Sequence, residues 1–250
     1  MKNTFLFALN YRIISSLNNF SKRFLRKPLC TYFEEFYWIT RKRNDLIDDW
    51  GTNKNDWIMS YWDSRFHPHR MHLIKEILKY SPESVLEIGC NCGPNLYLLS
   101  KEAPNSLLYG LDINEAAINI GNELIKQNSI SNVQLFWGKA DKLFTFRENE
   151  FNIVFTDAVL IYIGADKIRD VILQLLRITR KAIILFEWHD PNCSGGAYGV
   201  FDRHWVRDYI RLFEELAPKS KITISKITKD VWPDNKWVRY GAIIEVSDLQ

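Results

Sequence analysis

The chain has 250 residues, of which 46% are hydrophobic and 25% charged, and its formal net charge is +3. This composition excludes a wholly disordered chain and a collagen-like chain, and four cysteines are too few for a disulfide scaffold of this length. No uninterrupted apolar run reaches the roughly 18–20 residues that a membrane-spanning helix needs. The weak net charge, with no basic stripe within residues 84–250, argues against nucleic acid as a partner.

Residues 1–50 are interpreted as a basic N-terminal extension. Apolar residues recur every three or four positions up to Leu25, which predicts a helix with one apolar face, and no acid precedes Glu34. The lack of a small-residue cleavage site argues against a signal peptide. Two interpretations stay open: an amphipathic helix on an anionic membrane through residues 1–27, and an accessory helix or extension without that role. We expect a cytoplasmic protein, with peripheral membrane contact as the alternative.

Residues 51–83 are rich in aromatic and basic side chains and contain a predicted helix, Met71–Lys79. His67, His69 and His72 surround the start of this helix. Pro68 and the mixed spacing give these histidines no regular ligand face, and no cysteine pair lies nearby, so we expect no metal site. The segment is instead interpreted as a helix start with lid packing.

From Ser84 onward, short apolar runs alternate with helical periodicity. The predicted strands are Ser84–Ile88, Ser106–Ile113, Val133–Trp137, Phe151–Thr156 and Ala182–Phe186. The predicted helices are Gly93–Ala103, a helix capped by Asn114, a helix beginning at Ile168, and Trp205–Leu216. Two final runs, Lys221–Thr228 and Val238–Val246, predict an antiparallel pair with no helix between them.

This alternation predicts an α/β fold for residues 84–250. The expected architecture is an open, mostly parallel seven-stranded sheet with helices on both faces and a C-terminal antiparallel hairpin. Ligands of such sheets bind beyond the carboxyl ends of the strands, where the strand order reverses. The residues that follow each strand are therefore the candidates for a functional site.

The loop after the first strand combines an acid with a glycine turn. Gly89 and Gly93 permit left-handed backbone close to a ligand, and Asn91 between them is among the few other residues that tolerate it. Glu87 would repel a diphosphate, so the turn suits a ligand with an ammonium group better than a dinucleotide. Asp112, at the end of the second strand, is placed to accept hydrogen bonds from two ribose hydroxyls.

Four motifs together resemble those of the class I, Rossmann-like, S-adenosylmethionine-dependent methyltransferases. They are the Glu87-x-Gly89-x-Asn91-x-Gly93 turn, Gly110–Ile113, Gly138–Leu143 and Phe151–Asp157. The resemblance implies transfer of a methyl group from S-adenosylmethionine to a small-molecule acceptor, and we expect the acceptor atom to be oxygen. Asn91 stands where a glycine is usual, and Lys139 stands where many members have an acid.

The resemblance also implies roles for individual positions. Glu87, the backbone of Gly89–Gly93 and Asn95 would hold the methionine portion, and Asp112 the ribose. Ile113 would stack on the adenine, and Ala140 with Asp141 would bind its edge. Asp157 and Ala158 would line the site beneath the sulfonium. In many such enzymes a lid precedes the first strand, and in this chain Arg65 or Arg70 would bind the ligand carboxylate bidentately.

An oxygen acceptor needs a base, and His189 is the candidate because it follows the fifth strand directly. His204 is a weaker alternative, and a loop histidine bonded to backbone is the competing interpretation of His189. The loop Pro191–Arg203, which contains three glycines, would close over the acceptor and exclude water, or is an ordinary surface loop.

Two other functions stay open. One is an NAD(P)-dependent oxidoreductase on a related sheet, which the spacing of the glycine turn and the terminal hairpin disfavour. The other is a non-catalytic cofactor-binding module, which the presence of both Glu87 and Asp112 disfavours.

Overall fold

The computed structural model describes residues 29–43, 56–193, 198–201 and 204–249. The membrane-binding helix considered for residues 1–27 lies outside these ranges, as does part of the loop Pro191–Arg203. Among the described helices, none has both the length and the apolar character needed to cross a bilayer.

The described strands are β1 Ser84–Ile88, β2 Leu107–Asp112, β3 Val133–Trp137, β4 Phe151–Asp157, β5 Thr179–Trp188, β6 Tyr198–Phe201, β7 His204–Arg207, β8 Lys221–Lys226 and β9 Gly241–Ser247. Seven of these strands form one sheet in the order β3-β2-β1-β4-β5-β9-β8, and β6 and β7 form a separate antiparallel pair. The first five are parallel, and β9 lies antiparallel to both β5 and β8. The predicted fold class is confirmed.

The described helices are α1 Leu29–Thr40, α2 Trp57–Asp63, α3 Pro68–Leu78, α4 Pro94–Glu102, α5 Glu115–Gln127, α6 Ile168–Ile178, α7 Tyr209–Leu216 and α8 Asn235–Tyr240. The apolar face predicted for α6 is buried, from Ile168 through Leu175. Two apolar clusters, one containing Ile153 and the other Val154, pack against the sheet because successive residues of a strand point to opposite faces.

The helix predicted at Met71–Lys79 begins earlier, at Pro68, and the strand predicted at Ala182–Phe186 extends over Thr179–Trp188. Two further differences, one helix start and one missed helix, are explained by helix caps. Trp205 lies in β7, and helix α7 begins at Tyr209 because the side chain of Asp208 accepts the N–H of Arg211. Similarly, α8 lies between β8 and β9, where no helix is predicted, and its cap is Asp234, which accepts the N–H groups of two residues. Cap residues fix a helix start more sharply than apolar spacing does.

Asn114 joins the sheet to helix α1. Its Oδ1 accepts the N–H of Ala117 at 2.9 Å, which caps α5 as predicted. Its Nδ2 donates to the carbonyls of Trp38 at 2.7 Å and Arg41 at 3.0 Å, at the end of α1. One buried amide therefore serves as a helix cap and as a tether for a distant helix.

This double role predicts the effect of replacing Asn114. Loss of a helix cap costs about 1 kcal/mol of stability. Asn114→Ala also leaves the carbonyls of Trp38 and Arg41 without their donor. Asn114→Ala should therefore lower the free energy of unfolding more than Asp208→Ala, which removes a cap alone. Asn114→Ser keeps an oxygen that can cap α5 but cannot donate to both carbonyls, and it should fall between wild type and Asn114→Ala. Urea unfolding measures all three. Equal losses for the two alanine variants would contradict the tether.

Candidate active site

A cavity lies over the carboxyl ends of the parallel strands, where the strand order reverses between β1 and β4. Its floor is formed by the loops after β1, β2, β3 and β4, and its roof by α1, α2 and α3. Counting its opening to solvent, it encloses about 1330 Å³ of empty space. The floor residues are Ile88, Gly89, Asn91, Leu111–Ile113, Gly138–Asp141 and Asp157–Val159; the roof residues include Glu34, Glu35, Trp38, Arg41, Trp57, Ser60, Tyr61, His69 and Arg70.

The turn after β1 has the backbone predicted for it. Gly89, Asn91 and Gly93 have φ angles of +74°, +51° and +82°, so each lies in the left-handed region. A Cβ atom on Gly89 would lie 2.2 Å from a methyl group of Val159, so the turn and the loop after β4 pack too closely for any side chain. Gly89 and Asn91 line the cavity, whereas Gly93 caps α4 outside its lining.

Asp112 lines the cavity at the end of β2, held by two backbone amides. Its Oδ2 accepts the N–H of Asn91 at 2.7 Å and its Oδ1 that of Asn114 at 2.8 Å. Burial raises the pKa of Asp112 to about 6, although these amides oppose the shift. Each oxygen of a carboxylate can accept a further hydrogen bond, so the pair can still bind a diol.

The loop after β3 borders the same cavity. Ile113, Ala140 and Asp141 all line it, as the predicted nucleobase position requires. Asp141 Oδ2 accepts from Lys167 Nζ at 2.8 Å, whereas its Oδ1 is buried and has no hydrogen-bond partner among the described residues.

Asp157, at the end of β4, is the centre of a buried polar network. Its Oδ2 accepts from His69 Nε2 at 3.1 Å, Arg70 Nη1 at 3.1 Å and Asn95 Nδ2 at 2.9 Å. Burial alone would raise its pKa, but these donors hold the pKa of Asp157 well below its usual range. We call His69, Arg70, Glu87, Asn95 and Asp157 the Asp157 network.

Glu87 is the member of this network that accepts no hydrogen bond from a positively charged side chain among the described residues. Neither Glu87 nor Asn95, both predicted to hold the methionine portion, is part of the cavity lining. Its Oε1 accepts from Asn95 Nδ2 at 2.7 Å, while its buried Oε2 has no partner among the described residues. Burial raises the pKa of Glu87 to about 8, so the carboxyl group is mainly protonated at neutral pH. A cation next to Oε2 would allow it to ionise.

The two arginines proposed as carboxylate ligands lie in different places. Arg65 lies outside the cavity lining, with its Nη1 donating to the carbonyl of Trp62 at 3.0 Å. Arg70 lines the cavity, but it already donates to Ser64 O, Ser64 Oγ, Asn95 and Asp157. Four of its five N–H groups are therefore engaged, and the predicted bidentate contact with a ligand is not available in this arrangement.

His189 lies outside the cavity lining and is only 2% exposed. Its Nδ1 lies against backbone, 3.1 Å from the carbonyl oxygen of Arg207 and 3.2 Å from the amide nitrogen of Tyr209. A bridge between His189 and Arg207 joins the end of β5 to β7 at this point. His204 packs between the rings of Tyr162 and Trp188. The structure thus places neither predicted base at the cavity.

His69 is the histidine that does line the cavity, although the sequence suggested only lid packing for it. Its Nδ1 lies 2.6 Å from Nδ1 of His67, and its ring packs 4.3 Å from that of Trp232. Burial lowers the pKa of His69 to about 4, against the pull of Asp157. The ring is therefore neutral at neutral pH. With Nε2–H donating to Asp157, its Nδ1 carries the lone pair.

Glu187 shapes the floor without touching the cavity. Its Oε1 accepts from Thr156 Oγ1 at 2.7 Å and from the N–H groups of Val159 and Leu160, each at 2.9 Å. These bonds hold the loop in which Ala158 adopts a left-handed φ of +58°. Sequence reasoning missed Glu187, although an acid inside an otherwise apolar strand is a signal that it needs partners.

Helix α1 contributes three side chains to the roof, and Arg41, which follows the helix, contributes a fourth. Sequence reasoning missed all four. Trp38 stacks edge-on against Tyr162 with centroids 5.0 Å apart, and the guanidinium of Arg41 lies 4.3 Å from the ring of Trp57. Glu35 forms ion pairs with Lys139 and Lys167. The acids Glu34 and Glu35, the first in the chain, follow a basic stretch, and this change of charge could have indicated that the segment contacts lysines elsewhere.

Comparison with known proteins relates part of this chain to a family. Residues 85–182, less than half of the chain, match a family model described as a methyltransferase domain. Among curated proteins, the uncharacterized protein YbxB of Bacillus subtilis (strain 168) is 33% identical over 52 residues, which is 21% of this chain and 26% of that protein. The match therefore spans about a quarter of the relative's length.

Solved structures extend the likeness of fold beyond that segment. A geranyl diphosphate C-methyltransferase from Streptomyces coelicolor A3(2) aligns with a TM-score of 0.61 at 11% identity, over 87% of this chain and 97% of its own. An O-methyltransferase from a Brevibacillus brevis polyketide multienzyme gives 0.58 at 12% identity, over 76% and 74%. A SAM-dependent methyltransferase from Aquifex aeolicus gives 0.53 at 16% identity, over 75% and 96%. The predicted class I methyltransferase fold is confirmed.

The protonated state of Glu87 predicts a pH-dependent difference in stability. Its pKa of about 8 in the folded protein lies above its ordinary value of 4.5, so the folded state binds more protons between these values and loses stability as pH rises through them. Glu87→Gln keeps an acceptor for Asn95 and cannot ionise. Its melting temperature relative to wild type should therefore increase from about pH 5 to about pH 8.

Thermal unfolding of ligand-free protein at several pH values measures this difference. Asp112 and Glu187 also have raised pKa values, of about 6 and 7, but they are present in both proteins and cancel in the comparison. Glu102→Gln, at an exposed acid on α4, is the control and should show no such trend. A constant offset between Glu87→Gln and wild type would contradict the buried, protonated state.

Proposed function

We propose that the protein transfers a methyl group from S-adenosylmethionine to a small-molecule acceptor, at oxygen. The observation that carries this proposal is the single cavity floor on which the left-handed turn of Gly89 and Asn91, the carboxylate of Asp112, and Ala140 with Asp141 lie together. The methyltransferase match over residues 85–182 and the S-adenosyl-L-homocysteine complexes of two neighbours support the same donor.

The residues present fit this donor. Glu87 lies behind the residues that line the cavity, and its buried Oε2 has no partner among the described residues, which would suit an ammonium group that reached it. Asp112 would accept from the ribose hydroxyls, and Ile113 offers an apolar contact for the adenine. When bound, S-adenosylmethionine supplies an electrophilic methyl group on a sulfonium. The protein's task is then to align the acceptor and exclude water, which can lower the barrier by up to about 7–11 kcal/mol.

The roof supports an enclosed, aromatic acceptor position. Trp57, Tyr61 and Trp232 line the cavity, and Trp232 packs against His69, a partner of Asp157. Apolar walls of this kind bind organic ligands of modest size and keep water away from the reacting atoms.

The imidazole of His69 favours oxygen as the acceptor atom. An acceptor hydroxyl must lose a proton as its oxygen bonds to the methyl carbon, and a neutral imidazole can take it. Because Nδ1 of His69 now contacts Nδ1 of His67 at 2.6 Å, the acceptor hydroxyl would take the place of His67 at that nitrogen. As the oxygen bonds to the methyl carbon and the bond from methyl to sulfur breaks, the hydroxyl proton would pass to Nδ1 of His69. His69 therefore replaces His189 as the proposed base.

Calorimetry with S-adenosylmethionine, S-adenosylhomocysteine and NAD tests the donor. We expect the first two ligands to bind and NAD not to bind. Asp112→Ala should weaken S-adenosylhomocysteine by about tenfold or more, because two hydroxyls lose a charged acceptor. Asp170→Ala, at an exposed acid on α6, should bind as wild type does. Binding of NAD alone, or unchanged affinity in Asp112→Ala, would refute the assignment.

His69→Asn tests the base, once a screen of metabolite extracts with labelled donor has supplied an acceptor. We expect kcat to fall at least about tenfold while the affinity for S-adenosylhomocysteine stays within about twofold. Wild-type kcat should decline as pH falls toward about 4, where His69 gains a proton beside His67, Arg70 and Asp157. His189→Asn should lose stability but keep its turnover per folded molecule. Full activity of His69→Asn would exclude this role.

A further inference from the structure

Glu35 of α1 lies over the part of the cavity formed by the loop after β3. Its Oε2 pairs with Lys139 Nζ at 2.9 Å, and its Oε1 pairs with Lys167. Lys167 in turn contacts Asp141 Oδ2 at 2.8 Å. Glu35, Lys139, Asp141 and Lys167 all line the cavity. We call these four residues the α1 clamp.

The α1 clamp fixes a carboxylate in place without adding net charge to the site. Two acids and two lysines balance one another, so the clamp suits a neutral group better than an ion. Each oxygen of Glu35 accepts from one lysine and can accept a second donor. Asp141 Oδ1, buried and without a partner among the described residues, adds another acceptor nearby. The clamp therefore offers acceptors to a neutral ligand that carries N–H donors.

The position of the α1 clamp within the cavity indicates which part of the donor would contact it. Asp112 ends β2, and the neighbouring strand β3 leads to Lys139 and Asp141. If the ribose lies at Asp112, its base extends past Ile113 toward the clamp. An amino-bearing purine presents N–H donors there, whereas a 6-oxo purine presents an acceptor that carboxylates would repel.

We propose that α1 completes the nucleoside part of the donor site and that Glu35 selects an amino-bearing purine by accepting a hydrogen bond from its exocyclic amino group. This inference rests on the proposed function. A specificity-determining residue thus comes from a helix that lies 104 positions before Lys139 in the chain. The lysines hold Glu35 at the cavity, and Asn114 holds the end of the same helix.

The competing role for Glu35 is that of a tether, which pins α1 to the floor and touches no ligand. Loss of a tether would weaken every nucleoside ligand to the same extent. Loss of a contact with the amino group would weaken only the ligand that has this group. The ratio of two affinities therefore separates the two roles.

The experiment measures dissociation constants for S-adenosylhomocysteine and for its 6-oxo analogue, S-inosylhomocysteine, by calorimetry. Wild type should prefer the amino ligand by about tenfold or more, and Glu35→Ala should reduce that preference at least about fivefold. Glu35→Gln, which keeps a carbonyl acceptor but loses both ion pairs, should retain part of it. Glu215→Ala is the matched control, because Glu215 also contacts two cations, Arg169 and Arg211, but lies on α7.

The outcomes separate this inference from the proposed function. If wild type binds neither ligand, the donor assignment fails. If wild type binds S-adenosylhomocysteine but shows no preference over the 6-oxo analogue, or if Glu35→Ala keeps the same preference, Glu35 does not contact the amino group of the purine. This inference then fails, and the donor assignment stands. A parallel loss of both affinities in Glu35→Ala and Glu35→Gln would mean that Glu35 only tethers α1, which also overturns it.

Discussion

The ionised carboxylate of Asp157 is the constraint on which the site depends. A charge buried this deeply is tolerated only where hydrogen bonds and an opposite charge compensate it. Three donors meet its Oδ2, two of them from α3 and one from α4. Because these donors belong to separate elements, satisfying one oxygen also fixes the roof against the end of β4. Arg70, which carries the compensating charge, is therefore part of the architecture of the cavity before any ligand arrives.

The same network explains why Glu87 differs from Asp157, although Asn95 Nδ2 donates to both carboxyl groups. Arg70 and His69 contact Asp157, and Glu87 receives a single neutral donor. Burial then dominates and keeps Glu87 protonated, with one oxygen left without a partner among the described residues. A cation brought by a ligand would compensate this carboxyl group as Arg70 compensates Asp157.

Structural features that depend on residues close together in the sequence were predictable. The left-handed turn at Gly89, Asn91 and Gly93 and the cap at Asn114 follow from local backbone preferences, and the alternation of elements gave the sheet. Contacts between distant positions were not: Asp157 meets Arg70 87 residues away, and Lys139 meets Glu35 104 residues away. Position after a strand was also insufficient to identify a base, because the pairing of β7 turns His189 away from the cavity while a helix start brings His69 into it.

Polar contacts join the roof of the cavity to its floor at three places. Asn114 holds the end of α1, Glu35 meets the loop after β3, and Arg70 meets β4. The aromatic rings of the roof take no part in these three polar contacts. Substitution of a ring would therefore leave the three contacts between roof and floor in place. The floor carries the groups suited to the proposed donor, and Glu35 of α1 lies beside them, so the proposed donor site draws on both floor and roof. The aromatic side chains that would meet an acceptor, Trp57, Tyr61 and Trp232, come from α2 and from the loop after β8, outside the segment that matches the methyltransferase model.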